Sequence, residues 1–156
     1  MRVLRWIGLV VAALLLAIAA LFGVARFLDG PLGPIPGGPI RGEASTEDPA
    51  HWSFAGGEST LELEVGDRSV TVWFVTYQNV LYVAAAEAAR KKWPAEVVAD
   101  PRVRIRVAGR IYDRKLVRID DEASRSAVGR TFEARYQTTL TPEAKARVWV
   151  FRVDPR

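Results

Sequence analysis

The sequence predicts a mainly β chain with some helix (α+β): six antiparallel strands closing into a small barrel, helices on its openings, and a transmembrane helix in front. Three observations carry this. Trp6 to Ala25 is an unbroken apolar run. At 1.5 Å per residue, about 20 such residues match the roughly 30 Å hydrocarbon core of a bilayer. From Thr60 onward, short β-branched and aromatic segments alternate with period two, the signature of half-buried strands. Tight turn signals separate most of them, and antiparallel strands joined by tight turns tend to close and remove their exposed edges.

The elements follow in order. Arg2 and Arg5 precede the apolar run and Arg26 follows it. The basic N-terminal end favours an N-terminus in the cytoplasm and a domain outside it, anchored by a single pass in the cytoplasmic (inner) membrane. A cleaved signal peptide stays open, because "GVA" before Arg26 is a passable small-residue cleavage site. Residues 1–29 thus form an anchor and residues 30–58 a Pro/Gly-rich spacer and lead-in. "GPLGPIPGGPI", Gly30 to Ile40, resists helix and sheet pairing. It reads either as a stand-off from the lipid or as a coil packed on the domain's flank through Leu32, Ile35 and Ile40.

The barrel domain is placed at residues 59–156. "TLELEV" (Thr60–Val65) is the first strand, "GDR" a hairpin turn, and "SVTVWFVTY" (Ser69–Tyr77) the second strand. After Gln78-Asn79 comes "VLYVAA" (Val80–Ala85). Helix-forming residues fill Ala86–Lys92, and Pro94 suits the first turn of a short helix running to Ala99. Val103–Val107 and Arg110–Ile119 are strands joined at Ala108-Gly109. An acidic start at Asp120 opens a longer helix toward Tyr136, and "RVWVFRV" (Arg147–Val153) is the last strand.

Composition excludes several functions. Without residues 1–29 the chain keeps 19 basic and 17 acidic residues, a net of +2. So weak a field offers no steering toward nucleic acid. There are no cysteines, which removes disulfides, thiolate metal sites and cysteine nucleophiles. His51 is the only histidine and has no partner motif, so surface packing against Trp52 is the better reading. No histidine–carboxylate cluster has metal-ligand spacing.

Basic residues are concentrated instead at two places. Arg102, Arg104 and Arg106 alternate with Val103, Ile105 and Val107, so the guanidiniums share one strand face. They either pair across strands with carboxylates such as Glu62 and Glu64 or form an anion-binding face. "RKKW", Arg90–Trp93, joins three cations to an aromatic ring, as a phosphate and stacking site or as a solvated helix entry with Trp93 in the core. Trp73, Phe74, Tyr77 and Tyr82 on the central strands fill the barrel or wall a flat ring.

The order of "LYVAA", "RKKW" and "DPRVRIRVAGRIYDRKLVRI" resembles the flavin- and deazaflavin-binding split β-barrel superfamily, which includes pyridoxamine-phosphate-oxidase-like and deazaflavin-dependent nitroreductase-like proteins. The resemblance spans Ser59 to Asp154. It implies a split barrel in which a Ser/Thr and a Lys/Arg after the third strand hold a cofactor phosphate. The basic part falls on Arg90, Lys91 and Lys92, with Trp93 beside them and Arg104 and Arg106 as further contacts. The hydroxyl part has no match, since Ala84, Ala85, Ala86, Ala88 and Ala89 fill that neighbourhood. The resemblance also implies a homodimer. Two functions follow: a site for FMN or a deazaflavin-type coenzyme, with oxidoreductase activity, or a barrel that binds no cofactor and serves as an envelope structural or interaction protein.

Overall fold

The computed structural model describes residues 2–156, with side chains described from Trp6 onward. The amino terminus and the side chains of Arg2 and Arg5, on which the expected topology rests, lie outside the described residues. α1 spans Arg2–Ala25, and its Trp6–Ala25 portion is long and apolar enough to cross a membrane.

Six strands follow: β1 (Thr60–Val65), β2 (Arg68–Tyr77), β3 (Val80–Ala85), β4 (Arg102–Val107), β5 (Arg110–Arg118) and β6 (Trp149–Pro155). They close into an antiparallel barrel in the order β1-β2-β3-β6-β5-β4. Alternation decides what points inward. Leu61, Leu63, Val72, Phe74, Leu81, Val83, Ile105, Tyr112 and Phe151 fill the interior. From the connections, Trp52, Ala55, Trp93 and Val97 join the same cluster.

Helices α2 (Lys92–Ala99), α3 (Glu122–Tyr136) and α4 (Pro142–Ala146) sit in the connections. The Asp121 carboxylate accepts from the Ser124 N–H at 2.8 Å and starts α3. Phe132 and Val128 of α3 then pack on the outer face of the barrel against Val75, Tyr82 and Val150. Sequence periodicity misses α4, which Thr141 caps through the Ala144 N–H at 3.3 Å. Because α4 occupies the residues up to Ala146, β6 begins at Trp149 rather than Arg147. The helix-forming run at Ala86–Lys92 is likewise broken: Glu87 takes a left-handed φ of 50°, and only a short 3-10 turn, Ala88–Arg90, precedes α2.

The Pro/Gly-rich segment is folded onto the barrel as a strap. Gly37 and Ser69 exchange backbone hydrogen bonds at 3.0 and 3.1 Å. The Ser69 hydroxyl donates to the Gly38 carbonyl (2.6 Å) and the Thr71 hydroxyl to the Gly33 carbonyl (2.6 Å). Ile40 is only 2% exposed, and its N–H donates to the Glu64 carboxylate. Of the two readings of this segment, the packed coil is the one the contacts describe, with Ile40 as its buried handle, Ile35 half-buried and Leu32 exposed. Glycine is required at two positions: a Cβ on Gly37 would fall into the Gly30 carbonyl, and one on Gly38 into the Arg26 carbonyl.

Candidate functional site

Strand register gives the barrel two different walls. On the β1–β4 side, Arg106 stands opposite Glu62, and Arg104 stands opposite Glu64 on one side and Asp113 on the other. Arg106 donates to Glu62 at 2.6 and 2.9 Å and to Asp29 at 3.0 Å. Arg104 donates to Asp113 at 2.9 Å and to the Ile40 carbonyl at 3.3 Å. Arg102 pairs with Asp100 at the exposed end of the column. Burial works against the Arg106 cation, but Glu62 and Asp29 outweigh it and its pKa rises. Asp29 is held below its ordinary carboxylate value chiefly by the Arg41 N–H, with burial opposing and Arg106 assisting. This wall uses its charge internally.

The β2–β3–β6 wall is built otherwise. Trp73, Ala84 and Val150 are register neighbours in one row across three strands, all facing outward. Phe132 and Tyr136 of α3 lean over them, and Trp73 stacks on Tyr136 with centroids 4.5 Å apart and planes 7° from parallel. The Tyr136 hydroxyl accepts from the Phe74 N–H (3.1 Å) and sits 2.5 Å from the Ser59 carbonyl, which fixes the ring. Burial raises its pKa. Trp73 itself remains 52% exposed.

Between α3, α4 and this row lies a groove of about 360 Å³. Its emptiness has a sequence cause: Ala84 and Ala86 on one side and Gly129 on the other are small, and nothing lies within 4 Å of where a Gly129 Cβ would be. Cations stand at its rim, namely Lys91, Arg125, Arg130 and Lys145. Lys145 pairs with Glu133 at 2.9 Å and Arg125 with Glu122 at 3.6 Å. Among the described residues, Lys91 and Arg130 have no carboxylate partner within 4.0 Å, although Arg130 donates to the Ser126 hydroxyl at 2.9 Å. No histidine, cysteine or methionine lines the groove among the described residues.

The six residues expected to contact a cofactor are not brought together. Lys91 lines the groove, while Arg90 and Lys92 are exposed beside it in sequence. Trp93 is 5% exposed and packs on Phe151 at 5.4 Å inside the barrel. Arg104 and Arg106 stand on the opposite wall, since β4 faces β3 across the closed ring. His51 is exposed and bonds Ser53 at 2.7 Å, outside the groove. Sequence reading missed Tyr136, Gly129, Arg125, Arg130 and Lys145 as groove residues. One signal was available: Trp73 falls on the outward phase of β2, with Ser69 and Thr71, where an aromatic is out of place.

A closed antiparallel six-stranded barrel with helices in its connections has the split-barrel architecture, and the solved structures it resembles share that fold. A candidate pyridoxamine 5'-phosphate oxidase from Listeria innocua matches with a TM-score of 0.52 at 10% identity, over 67% of this chain and 89% of that one. HutZ, the heme storage protein of Vibrio cholerae, matches with 0.52 at 16% identity, over 67% and 86%. A NimC/NimA family protein from Clostridium acetobutylicum matches with 0.50 at 12% identity, over 65% and 75%. Within that class, the chain belongs to the family described as an uncharacterized protein conserved in bacteria (DUF2255), whose model matches residues 62–150. No curated protein matches it.

Proposed function

We propose that the groove beneath α3 binds a flat, phosphate-bearing cofactor of the flavin or deazaflavin class, in a barrel that α1 anchors to the cytoplasmic membrane and displays outside the cytoplasm. The observation that carries this is the pairing of an apolar shelf (Trp73, Ala84 and Val150) with rim cations, two of which have no carboxylate partner among the described residues. The residues fit the group in two respects. A shelf of one aromatic and two small apolar side chains suits a planar ring. Lys91 and Arg130 suit a phosphate, with the exposed Arg90 and Lys92 adjacent to Lys91. The bound ring would supply the redox chemistry, and the chain would hold and orient it. Arg104 and Arg106, neutralised on the other wall, are weaker partners for it than Lys91.

Full-length protein purified in detergent should show flavin-type absorption or quench the fluorescence of added FMN. Lys91→Ala and Arg130→Ala should each weaken binding by about ten- to hundredfold, the cost of one charge-assisted contact. Ala84→Leu, which fills the groove, should abolish binding while the barrel stays folded. If wild-type protein binds neither FMN nor a deazaflavin, the second reading stands: a barrel without cofactor that acts as an envelope structural or interaction protein. That reading is favoured by the alanines at Ala84–Ala86 where a phosphate-binding hydroxyl is expected. A reporter fused after Arg156 tests the outward orientation, with active alkaline phosphatase expected and dark green fluorescent protein. A homodimer belongs to the same proposal and is read from the mass of the detergent-purified complex.

A further inference from the structure

We propose that the folded strap is a lipid contact that holds the barrel in one orientation on the bilayer, with the β1–β4 wall toward the headgroups and the α3 groove turned away. The inference rests on α1 being a membrane anchor. Directly after α1, Phe27 is 78% exposed, and Leu28 and Leu32 are also exposed. Apolar side chains at the end of a span are where the interfacial region of a bilayer begins, and lipid there covers what water otherwise meets.

These residues are not free to find lipid on their own, because their backbone is tied to the barrel. Arg26 pairs with Asp67 in the β1–β2 turn at 2.8 Å. Arg41 donates from its guanidinium to the Phe27 carbonyl at 3.2 Å and from its N–H to Asp29 at 2.8 Å. Asp29 in turn holds Arg106 of β4. Ala25, the last residue of α1, is 1% exposed. A flexible tether of the same length would let the barrel tumble; this segment transmits the position of the span to the β1–β4 wall. Closure of the ring then puts β3 and β6, which carry Ala84 and Val150 of the groove, on the far side, with the β2 edge of the groove at Thr71 nearest the strap.

The chain has no cysteine, so one introduced cysteine is a unique label site. Leu32→Cys and, on α4, Glu143→Cys would each carry an environment-sensitive fluorophore in the full chain, reconstituted in phosphatidylcholine–phosphatidylglycerol vesicles. Nitroxide lipids labelled at the headgroup should quench position 32 several-fold more than position 143, and iodide in the buffer should do the reverse. Asp29→Ala, which removes the carboxylate that the Arg41 N–H and the Arg106 guanidinium share, should bring position 143 closer to the quencher on average while position 32 stays lipid-quenched. Equal quenching at both positions in the otherwise native chain, or no response to Asp29→Ala, overturns the proposal. Retention of the protein in the vesicles after alkaline extraction separates the two failures. Loss from the pellet sinks the anchor together with the orientation; retention with equal quenching sinks the orientation alone.

Discussion

The β1–β4 wall and the β2–β3–β6 wall belong to one closed sheet, follow the same alternation, and both carry cations, yet they end in opposite chemical states. On the first, strand register sets Glu62 and Glu64 beside Arg106 and Arg104, and the strap brings Asp29 and the Ile40 carbonyl to the same guanidiniums. On the second, register lines up Trp73, Ala84 and Val150, and α3 lays Gly129 over them. A charge-rich strand face is therefore no guide to a binding site; the partners that register supplies decide it. What marks the second wall is small residues and an outward aromatic, with cations at the rim of the groove rather than along the strand face.

The comparison breaks most sharply at Gly37. Gly37→Ala forces the strap off, because the new Cβ meets the Gly30 backbone rather than a side chain that can swing aside. The expected cost is roughly 1–3 kcal/mol of stability. Chemical denaturation measures it, and faster hydrogen exchange across residues 27–41 locates it.

Arg106→Ala strikes the same wall with an effect of similar or smaller size. It leaves two half-exposed carboxylates, Glu62 and Asp29, without their cation, which costs about 1–3 kcal/mol. Arg102→Ala, whose partner Asp100 is exposed, should leave the melting temperature unchanged. Acid should release the strap as well. Asp29 has a folded pKa below its ordinary value of 3.8, so its contribution is fully present above that value and lost as pH falls through the folded pKa. Exchange across residues 27–41 should therefore quicken below about pH 4, and Asp29→Asn should remove that pH dependence.

A modest effect of the opposite sign comes from the groove side. Gly129→Ala adds a methyl group to a helix interior where nothing lies within 4 Å. Replacing glycine by alanine there should raise stability by about 1 kcal/mol. A rise in melting temperature with weaker FMN binding is the expected pair of results. A fall in stability would show that the groove is narrower than its walls indicate.

The barrel was legible in the sequence because alternation is a local property: each strand lies within a residue or two of the segment that "TLELEV", "SVTVWFVTY" or "RVRIRV" suggests. The strap was only half legible. Ile40 and Leu32 hinted at packing, but a Cβ clash between Gly37 and Gly30 exists only after the chain has folded back on itself. The groove was the least legible part. Trp73, Ala84, Gly129 and Val150 become neighbours through register between strands distant in sequence and through the placement of α3, and no local pattern encodes either. Trp93 illustrates the converse: beside three cations it suggested a ligand contact, whereas its apolar bulk takes it into the barrel against Phe151.

The position of β6 in the ring has a consequence for biogenesis. This last strand lies between β3 and β5, so until Trp149–Pro155 has been synthesised the sheet has two unpaired edges and cannot close. The β1–β4 pairing likewise joins residues 44 positions apart. Long-range pairings of this kind form slowly, because the loop between them must close first. α1, by contrast, forms from consecutive residues and needs no distant partner. The domain therefore stays open until β6 is available, and the barrel closes last, around Trp149–Pro155.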